Sequence, residues 1–494
     1  MAKRRYLLAI DQGTTGTHVL VMDDRLEVVG EAYREFTQHF PKPGWVEHDL
    51  REIWKTVERC CKKGLADADV RPDMVTAIGI TNQRETTAVW HRATGEPMAR
   101  AIVWQDRRTS EMCAELKAQG EEARVRETTG LVLDPYFSAT KLRWLLDHVD
   151  GLRARAEAGT LCFGTIDSWL VHRVTGGARH VTDASNASRT LLYDLRNRGW
   201  SEAMLELFGI PPQVLPEIRS CAEVYGITKG MESLPDGIPV SGMAGDQQAA
   251  LFGQACFKPG ESKCTYGTGS FLLMNTGSEP VASKTGLLTT VAWQLGDEVT
   301  YALEGSSFVA GAAVQWLRDG LQAIKKSAQV EKLARSVESS GDVVFVPALA
   351  GLGAPHWRPD ARGILMGLDR STNLGHVARA VLEGIALQTY ELAQAMTQDS
   401  GQPIPVLKVD GGASANDLLM QYQADILGTP VVRPKNLQTT AAGAAFLAGI
   451  GAGVWTGPEE IRGAWKGGKT FKPRMGDDAR AHALAKWKRA VERA

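Results

Sequence analysis

The chain has 494 residues, 56 Lys+Arg against 57 Asp+Glu, and a formal charge of −1. A neutral chain of this kind lacks the basic footprint of a nucleic-acid binder, and its length calls for two large domains. Seven cysteines at 60, 61, 113, 162, 221, 256 and 264, with no C-x-x-C pair, exclude a disulfide framework and a spacing-defined zinc site and suit a reducing cytoplasm.

No apolar run approaches the ~20 residues needed to span a bilayer, and MAKRRYLLAIDQG has a strand where a signal peptide would need a longer apolar core. Glycine is enriched, 51 of 494 residues, or about 10% against a usual ~7%. The excess falls in short turns between apolar runs, as in an α/β enzyme with many tight strand-to-helix connections.

In chain order, YLLAI (6–10) runs through DQGTTGTH (11–18) into VLVMD (19–23), and the pattern predicts a β-hairpin with a Gly/Thr turn. MVTAIGIT (74–81) reads as a buried strand, followed by the loop NQRE (82–85) and a second strand TTAVWH (86–91). IPVSGMAGD (238–246) is an apolar run that ends on a carboxylate, and QQAALFGQA (247–255) is small and helical. ESKC (261–264), TYGTGS (265–270) and FLLMN (271–275) repeat the first hairpin. VTYALEGSS (299–307) is a strand leading to a helix from FVAGAAVQWL (308–317) that Gly320 can end. Then come the strand DVVFVPAL (342–349), the amphipathic helix 376–396, the strand VLKVD (406–410), the break GGASAN (411–416) and the helix 418–427. TTAAGAAFLAGIGAG (439–453) is a helix built for close packing. Strands alternating with helices argue for α/β layers in both halves. The domain boundary is expected near Phe252–Gln254, giving domains 1–252 and 253–494 that meet in a cleft, since no Pro/Ser-rich linker is present.

The two hairpins carry the first hint of chemistry. Glycine lets the backbone of a turn approach a ligand, and successive N–H groups and threonine hydroxyls can line up on phosphate oxygens. One such turn is ordinary hairpin chemistry; two suggest a duplicated fold with a nucleotide between the halves. GAWKGGKT (463–470) matches the P-loop pattern by letter, but that loop needs a strand before it and a helix after it. Here a helical GPEEIR precedes it, and Pro473 and Gly476 follow, so it reads as a chance match.

Asp11 and Asp246 each follow an apolar strand and precede a flexible turn. Phosphoryl transfer needs Mg²⁺ held by one or two carboxylates and a group that deprotonates or orients the attacking hydroxyl. Either aspartate could equally be a turn or cap residue. Arg84-Glu85 follows a buried strand and is either an exposed ion pair or a polyol clamp, with Arg donating to hydroxyl oxygens and Glu accepting from hydroxyl hydrogens. Trp104, Tyr136 and Phe271 could cover a short carbon chain or fill the core. The ten histidines show no metal spacing.

DQGTTG, PGWVEHD (43–49), GITNQRETT (79–87), AIVWQDRR (101–108), DPYFSATK (134–141), TDASNASRT (182–190), AGDQQAALFGQ (244–254), TYGTGS, GLGAPHW (351–357) and DGGASAN (410–416) together resemble the glycerol kinases. These are carbohydrate kinases with the two-domain ATPase fold of hexokinase, actin and the heat-shock chaperone ATPases. The resemblance implies an α/β fold of two actin/hexokinase-like ATPase domains with an interdomain cleft. It implies transfer of phosphate from ATP to glycerol, with Mg²⁺, giving glycerol 3-phosphate, and a cytoplasmic homo-oligomer, dimer or tetramer.

Residue by residue, it implies Asp246 as general base and Arg84, Glu85, Tyr136, Asp246 and Gln247 as the glycerol contacts, with Trp104 and Phe271 as an apolar wall. Thr14, Thr15, Thr268, Gly311, Gln315, Gly412 and Asn416 are the implied nucleotide contacts, and Asp11 the magnesium partner. The chain departs from the pattern in three places. His18 stands where some members carry an arginine. KGMESLPDG (229–237) lacks the arginine of a bisphosphate-binding Gly-Gly-Thr-Arg loop, and no histidine lies between 181 and 355 to serve as a phosphorylation site. A kinase for a longer acceptor such as xylulose, or a nucleotide-driven module without turnover, are the competing readings.

Overall fold

A computed structural model describes residues 4–358 and 360–494. Met1–Lys3, at the head of the segment weighed above as a leader, and Pro359 lie outside the described residues.

Both expected hairpins form. Strand Tyr6–Gln12 pairs antiparallel with Gly16–Asp23, and Ser262–Tyr266 pairs antiparallel with Ser270–Gly277. The duplication extends to whole sheets. In each, the first hairpin strand lies parallel to a later strand, Val75–Asn82 in one case and Leu407–Asp410 in the other. That later strand lies parallel in turn to a further one, Pro239–Gly245 or Val431–Pro434. An antiparallel strand covers the far side of each hairpin, Val28–Glu35 or Glu298–Ser307. The result is one six-stranded and one seven-stranded sheet.

The period-2 alternation of a strand sends Leu8 and Ile10 to one face and Leu7 and Ala9 to the other, and all four are fully buried. An unbroken apolar run such as YLLAI is therefore what a strand covered on both faces needs. Helix Leu50–Asp67 packs on one face of the first sheet. Helix Thr439–Gly451 crosses back from the second half of the chain to pack on the other face. Its small residues are used for backbone contact. A Cβ on Gly443 would lie 1.9 Å from the Ala249 carbonyl oxygen, and one on Gly79 would lie 2.1 Å from that of Ala444. Helix Asp246–Gly253 and strand Val75–Asn82 are thereby locked together, which fixes the ends that carry Asp246 and Arg84.

Some local expectations need correction. TTAVWH forms strand Ala88–His91, but it pairs with Leu161–Gly164 outside the main sheet. DVVFVPAL shrinks to Val344–Val346, paired with Ile364–Met366. The helix expected from 308 begins at Gly311 and ends at Asp319, and Gly320 is right-handed there, not left-handed. The P-loop look-alike begins in the last two residues of helix Pro458–Ala464 and ends within the edge strand Gly467–Phe471, so no helix starts directly after it. All seven cysteines are free and buried. Among the described residues no helix is long and apolar enough to cross a membrane.

Candidate active site

Two cavities flank the second hairpin turn, and both are lined by Gly267 and Thr268. The first, about 590 Å³, is lined by Thr14, Thr15, Arg84, Glu85, Trp104, Tyr136, Asp246, Gln247 and Phe271. The second, about 460 Å³, gathers Gly311, Gln315, Gly412 and Asn416 with the apolar Val314, Leu382 and Leu419. The predicted acceptor contacts line the first chamber, and five of the seven predicted nucleotide contacts, Thr268, Gly311, Gln315, Gly412 and Asn416, line the second. Thr14 and Thr15, on the first hairpin turn, open into the first chamber, facing Thr268 across the cleft.

Arg84 and Glu85 are not an exposed pair: their side chains are each 2% exposed. Glu85 sits at φ 60°, in the left-handed region that costs a non-glycine residue roughly 1–3 kcal/mol. The strain is held by its surroundings. Ser138 and Thr87 hydroxyls donate to the Glu85 carbonyl oxygen at 3.1 and 3.2 Å, and Arg189 Nε donates to its carboxylate at 2.7 Å.

Arg84 meets Glu304 through both terminal nitrogens, Nη2 to Oε1 at 3.1 Å and Nη1 to Oε2. It also reaches Gln248 Oε1 at 3.2 Å, Tyr136 Oη at 3.3 Å and, through Nε, Asp246 Oδ1 at 3.2 Å. Arg189 Nη2 donates to Glu304 Oε1 at 2.9 Å. Two arginines and two glutamates therefore close a buried ring. Burial alone would raise the Glu304 carboxyl, but the Arg189 and Arg84 charges bring it down to about 2.

Asp246 opens helix Asp246–Gly253, with 28% of its side chain open to the cavity. The Gln247 N–H donates to its carboxylate at 2.7 Å. Burial raises its pKa, opposed by the Arg84 and Lys263 charges. Burial, and next the charge of Asp246, lift Asp11 to about 7. Trp104, Tyr136 and Phe271 pack together beside the first cavity. Trp104 packs edge-on to Tyr136 at 5.6 Å and Phe271 at 6.5 Å between ring centroids, and its indole N–H donates to the Thr14 hydroxyl at 2.9 Å. His18 lies in an open cleft with Asp11 and Thr15. Burial lowers its pKa, against the pull of Glu31 at 3.1 Å.

Residues 6–253 match the N-terminal domain of the FGGY family of carbohydrate kinases, and residues 262–452 match its C-terminal domain. The chain belongs to the FGGY family of carbohydrate kinases. A glycerol kinase of Myxococcus xanthus is 68% identical over 496 aligned positions, covering 100% of both chains. One of Deinococcus radiodurans is 54% identical, over 100% of this chain and 98% of its own. Among solved structures, a Plasmodium falciparum glycerol kinase with ADP is 38% identical with a TM-score of 0.92, covering 99% of this chain and 98% of its own. A xylulose kinase of Lactobacillus acidophilus shares the fold at 22% identity and a TM-score of 0.87, covering 99% and 97%.

In this FGGY kinase, sequence reasoning overlooked Glu304, Arg189, Gln248 and Lys263. Glu304 carried a signal: it is the one carboxylate inside the apolar body of strand Glu298–Ser307, whose other carboxylate, Glu298, is the exposed first residue. Arg189 lies inside TDASNASRT, a motif noted above without a role.

Among the described residues no group of three or more His, Cys, Asp or Glu could hold a metal ion. Magnesium is ordinarily held through one or two carboxylates together with phosphate oxygens and water. Asp11, whose carboxyl is raised next after burial by the charge of Asp246, and Asp246 fit that donor set.

Proposed function

We propose that this kinase phosphorylates glycerol from ATP, giving sn-glycerol 3-phosphate and ADP. The observation that carries the reading is the pair of cavities joined at the Gly267–Thr268 turn. One ends on a carboxylate and a polyol-sized polar cluster; the other is a mixed apolar and glycine-lined chamber suited to a nucleoside. The identity of the relatives supports it: proteins named glycerol kinase match at 52–68% over nearly the whole chain. The longer-ketose reading is not favoured, since solved xylulose kinases that share the fold are 17–25% identical to this chain.

In this reading residues 1–252 form the acceptor- and phosphate-binding domain and 253–494 the nucleotide-binding domain, with helix Thr439–Gly451 tying the two. Glycerol lies against Trp104 and Phe271, and its hydroxyls meet Arg84, Glu85, Tyr136, Asp246 and Gln247. Four Arg84 N–H groups are hydrogen-bonded, and Nε lies 3.2 Å from Asp246 Oδ1 as an ion pair without a hydrogen bond, so a hydroxyl meets Nε or displaces the long contact to Tyr136. Asp246 takes the proton from the attacking hydroxyl; burial raises its pKa and so makes it a stronger base than an exposed aspartate. Thr268, Gly311, Gln315, Gly412 and Asn416 hold the nucleotide, and the Thr14–Thr15 turn holds its phosphates from the other side. Asp11 is the residue for Mg²⁺, which when bound neutralises developing phosphate charge. The enzyme works in the cytoplasm as a homo-oligomer, dimer or tetramer, which light scattering after size exclusion tests.

The direct test of function is ADP release with glycerol, with xylulose and with no acceptor. Turnover with glycerol is expected. Equal turnover with xylulose, or with no acceptor, overturns the reading.

A further inference from the structure

Lys263 is completely buried, and its side chain points at the same face of strand Ser262–Tyr266 as Thr265, as two-residue spacing requires. Its ammonium reaches two residues of the first cavity and no others: the Gln247 side-chain oxygen, and the Thr265 hydroxyl at 2.9 Å. Burying an ammonium is costly unless it is paired and hydrogen-bonded. Asp410 and Asp246 lie close enough to offset its charge, with Arg84 opposing them. Asp410 is already bonded to Gln254 at 2.8 Å and to the Thr439 hydroxyl at 2.6 Å. The only hydrogen bonds Lys263 makes among the described residues are thus to cavity-lining groups.

An ammonium is a donor with no acceptor. The Gln247 amide must therefore turn its oxygen to Lys263 and its NH₂ away. That NH₂ meets no protein acceptor among the described residues, and Gln247 faces the cavity. The same logic applies to Thr265: its oxygen accepts from Lys263, which leaves its O–H free to donate. One buried cation converts two ambivalent side chains into donors facing the same chamber.

We propose that Lys263 is a positioning residue for the acceptor, fixing the Gln247 amide so that its NH₂, and not its oxygen, meets an acceptor hydroxyl oxygen. The inference rests on the acceptor-site reading given above. Without Lys263 the amide is free to rotate and half of its orientations offer an oxygen to that hydroxyl. The effect falls on acceptor recognition and passes through Gln247, because the Thr265 hydroxyl rotates about its own bond and can still donate without Lys263.

The test is a double-mutant cycle on the full-length protein with glycerol and ATP. Lys263→Met keeps the length and apolar stem and removes the donors. Its acceptor KM should rise roughly 2- to 13-fold, the range for a lost hydrogen bond between neutral groups, with the ATP KM changed by less than the acceptor KM. Gln247→Ala should raise the acceptor KM similarly, and the double variant no further. A purely structural lysine would shift both KM values together; that result, an unchanged acceptor KM, or effects that multiply, overturns the proposal. Should Lys263→Met fail to fold, Gln247→Glu keeps a partner for Lys263 but offers the acceptor a carboxylate oxygen. Its acceptor KM should rise at least tenfold, and an unchanged value overturns the proposal equally. The wild-type rate separates the two layers: no turnover of glycerol by the wild type sinks the proposed function, whereas normal wild-type turnover with unaffected variants sinks only the role of Lys263.

Discussion

Arg84 and Glu304, 220 positions apart, form a two-pronged ion pair that joins the loop after strand Val75–Asn82 to the seven-stranded sheet. The pair is buried and shares Glu304 with Arg189. Both sheets therefore meet at one carboxylate, directly beneath the residues that line the first cavity. A buried pair of this kind need not stabilise relative to an apolar core, but removing one partner strands the other charges.

That asymmetry gives a pH-dependent expectation for Glu304→Gln. The Glu304 pKa falls from 4.5 to about 2 on folding. A depressed carboxyl contributes stability that is fully present above its unfolded pKa and is lost as pH drops through its folded one. The shift corresponds to on the order of 3 kcal/mol. The wild type should exceed the variant by that order at pH 7, and the gap should close between about pH 4.5 and 2. Urea melts at several pH values check this; a gap that persists at low pH would mean that packing, and not charge, makes the difference.

Arg84→Lys keeps the charge but loses the planar fork that engages Glu304 and the cavity together. The glycerol KM should increase roughly 10- to 150-fold, with a smaller change for ATP. Steady-state kinetics with each substrate varied in turn decide it. Equal changes for both substrates would place Arg84 outside the acceptor site.

Gly311→Ala probes the other chamber. A Cβ there would lie 2.6 Å from the Gly267 carbonyl oxygen, so the turn shared by the two cavities must move. Overpacking of this kind costs about 1–3 kcal/mol, which as lost nucleotide affinity is roughly 5- to 150-fold. Binding of a fluorescent ATP analogue should weaken by that range. Full affinity in the variant would remove Gly311 from the nucleotide site.

Fructose 1,6-bisphosphate should leave the rate unchanged, because bisphosphate recognition needs fixed cationic forks. In the 229–237 segment Lys229, Glu232 and Asp236 are all exposed and no arginine is present. Asp236 accepts from the Gly230 N–H at 2.8 Å, and the Glu58 carboxylate accepts from the Glu232 and Ser233 N–H groups at 3.1 and 3.0 Å. The amides an anion would need are thus already held by carboxylates. Initial rates with and without millimolar bisphosphate, against a salt control, test this; inhibition of several-fold contradicts it.

The hairpins, the strand-end position of Asp246 and the small-residue helix were legible in the sequence because each rests on local pattern: Gly/Thr turns, unbroken apolar runs, Ala/Gly spacing. Glu304 and Arg189 were not, because their meaning lies in contacts made across more than a hundred positions, with no local signature beyond a charge in a buried strand or helix-end. The Arg84–Glu85 dipeptide illustrates the limit. Neighbours in sequence, their closest charged side-chain atoms are 3.7 Å apart, while each makes its shorter ion pair with a distant residue. Gly320 shows the converse, a helix-stop signal in the right place whose left-handed conformation the fold did not need.

The central claim is that Asp246 takes the proton from the acceptor hydroxyl, and kcat of Asp246→Asn measured beside its glycerol affinity tests it most directly. The substitution is nearly isosteric and keeps a side-chain oxygen for the Gln247 N–H. Glycerol binding followed by calorimetry should stay within a few-fold of wild type, while kcat drops by about 10²–10⁴, the usual worth of a positioned general base. A variant that binds glycerol normally and keeps more than about a tenth of the wild-type kcat would contradict the assignment.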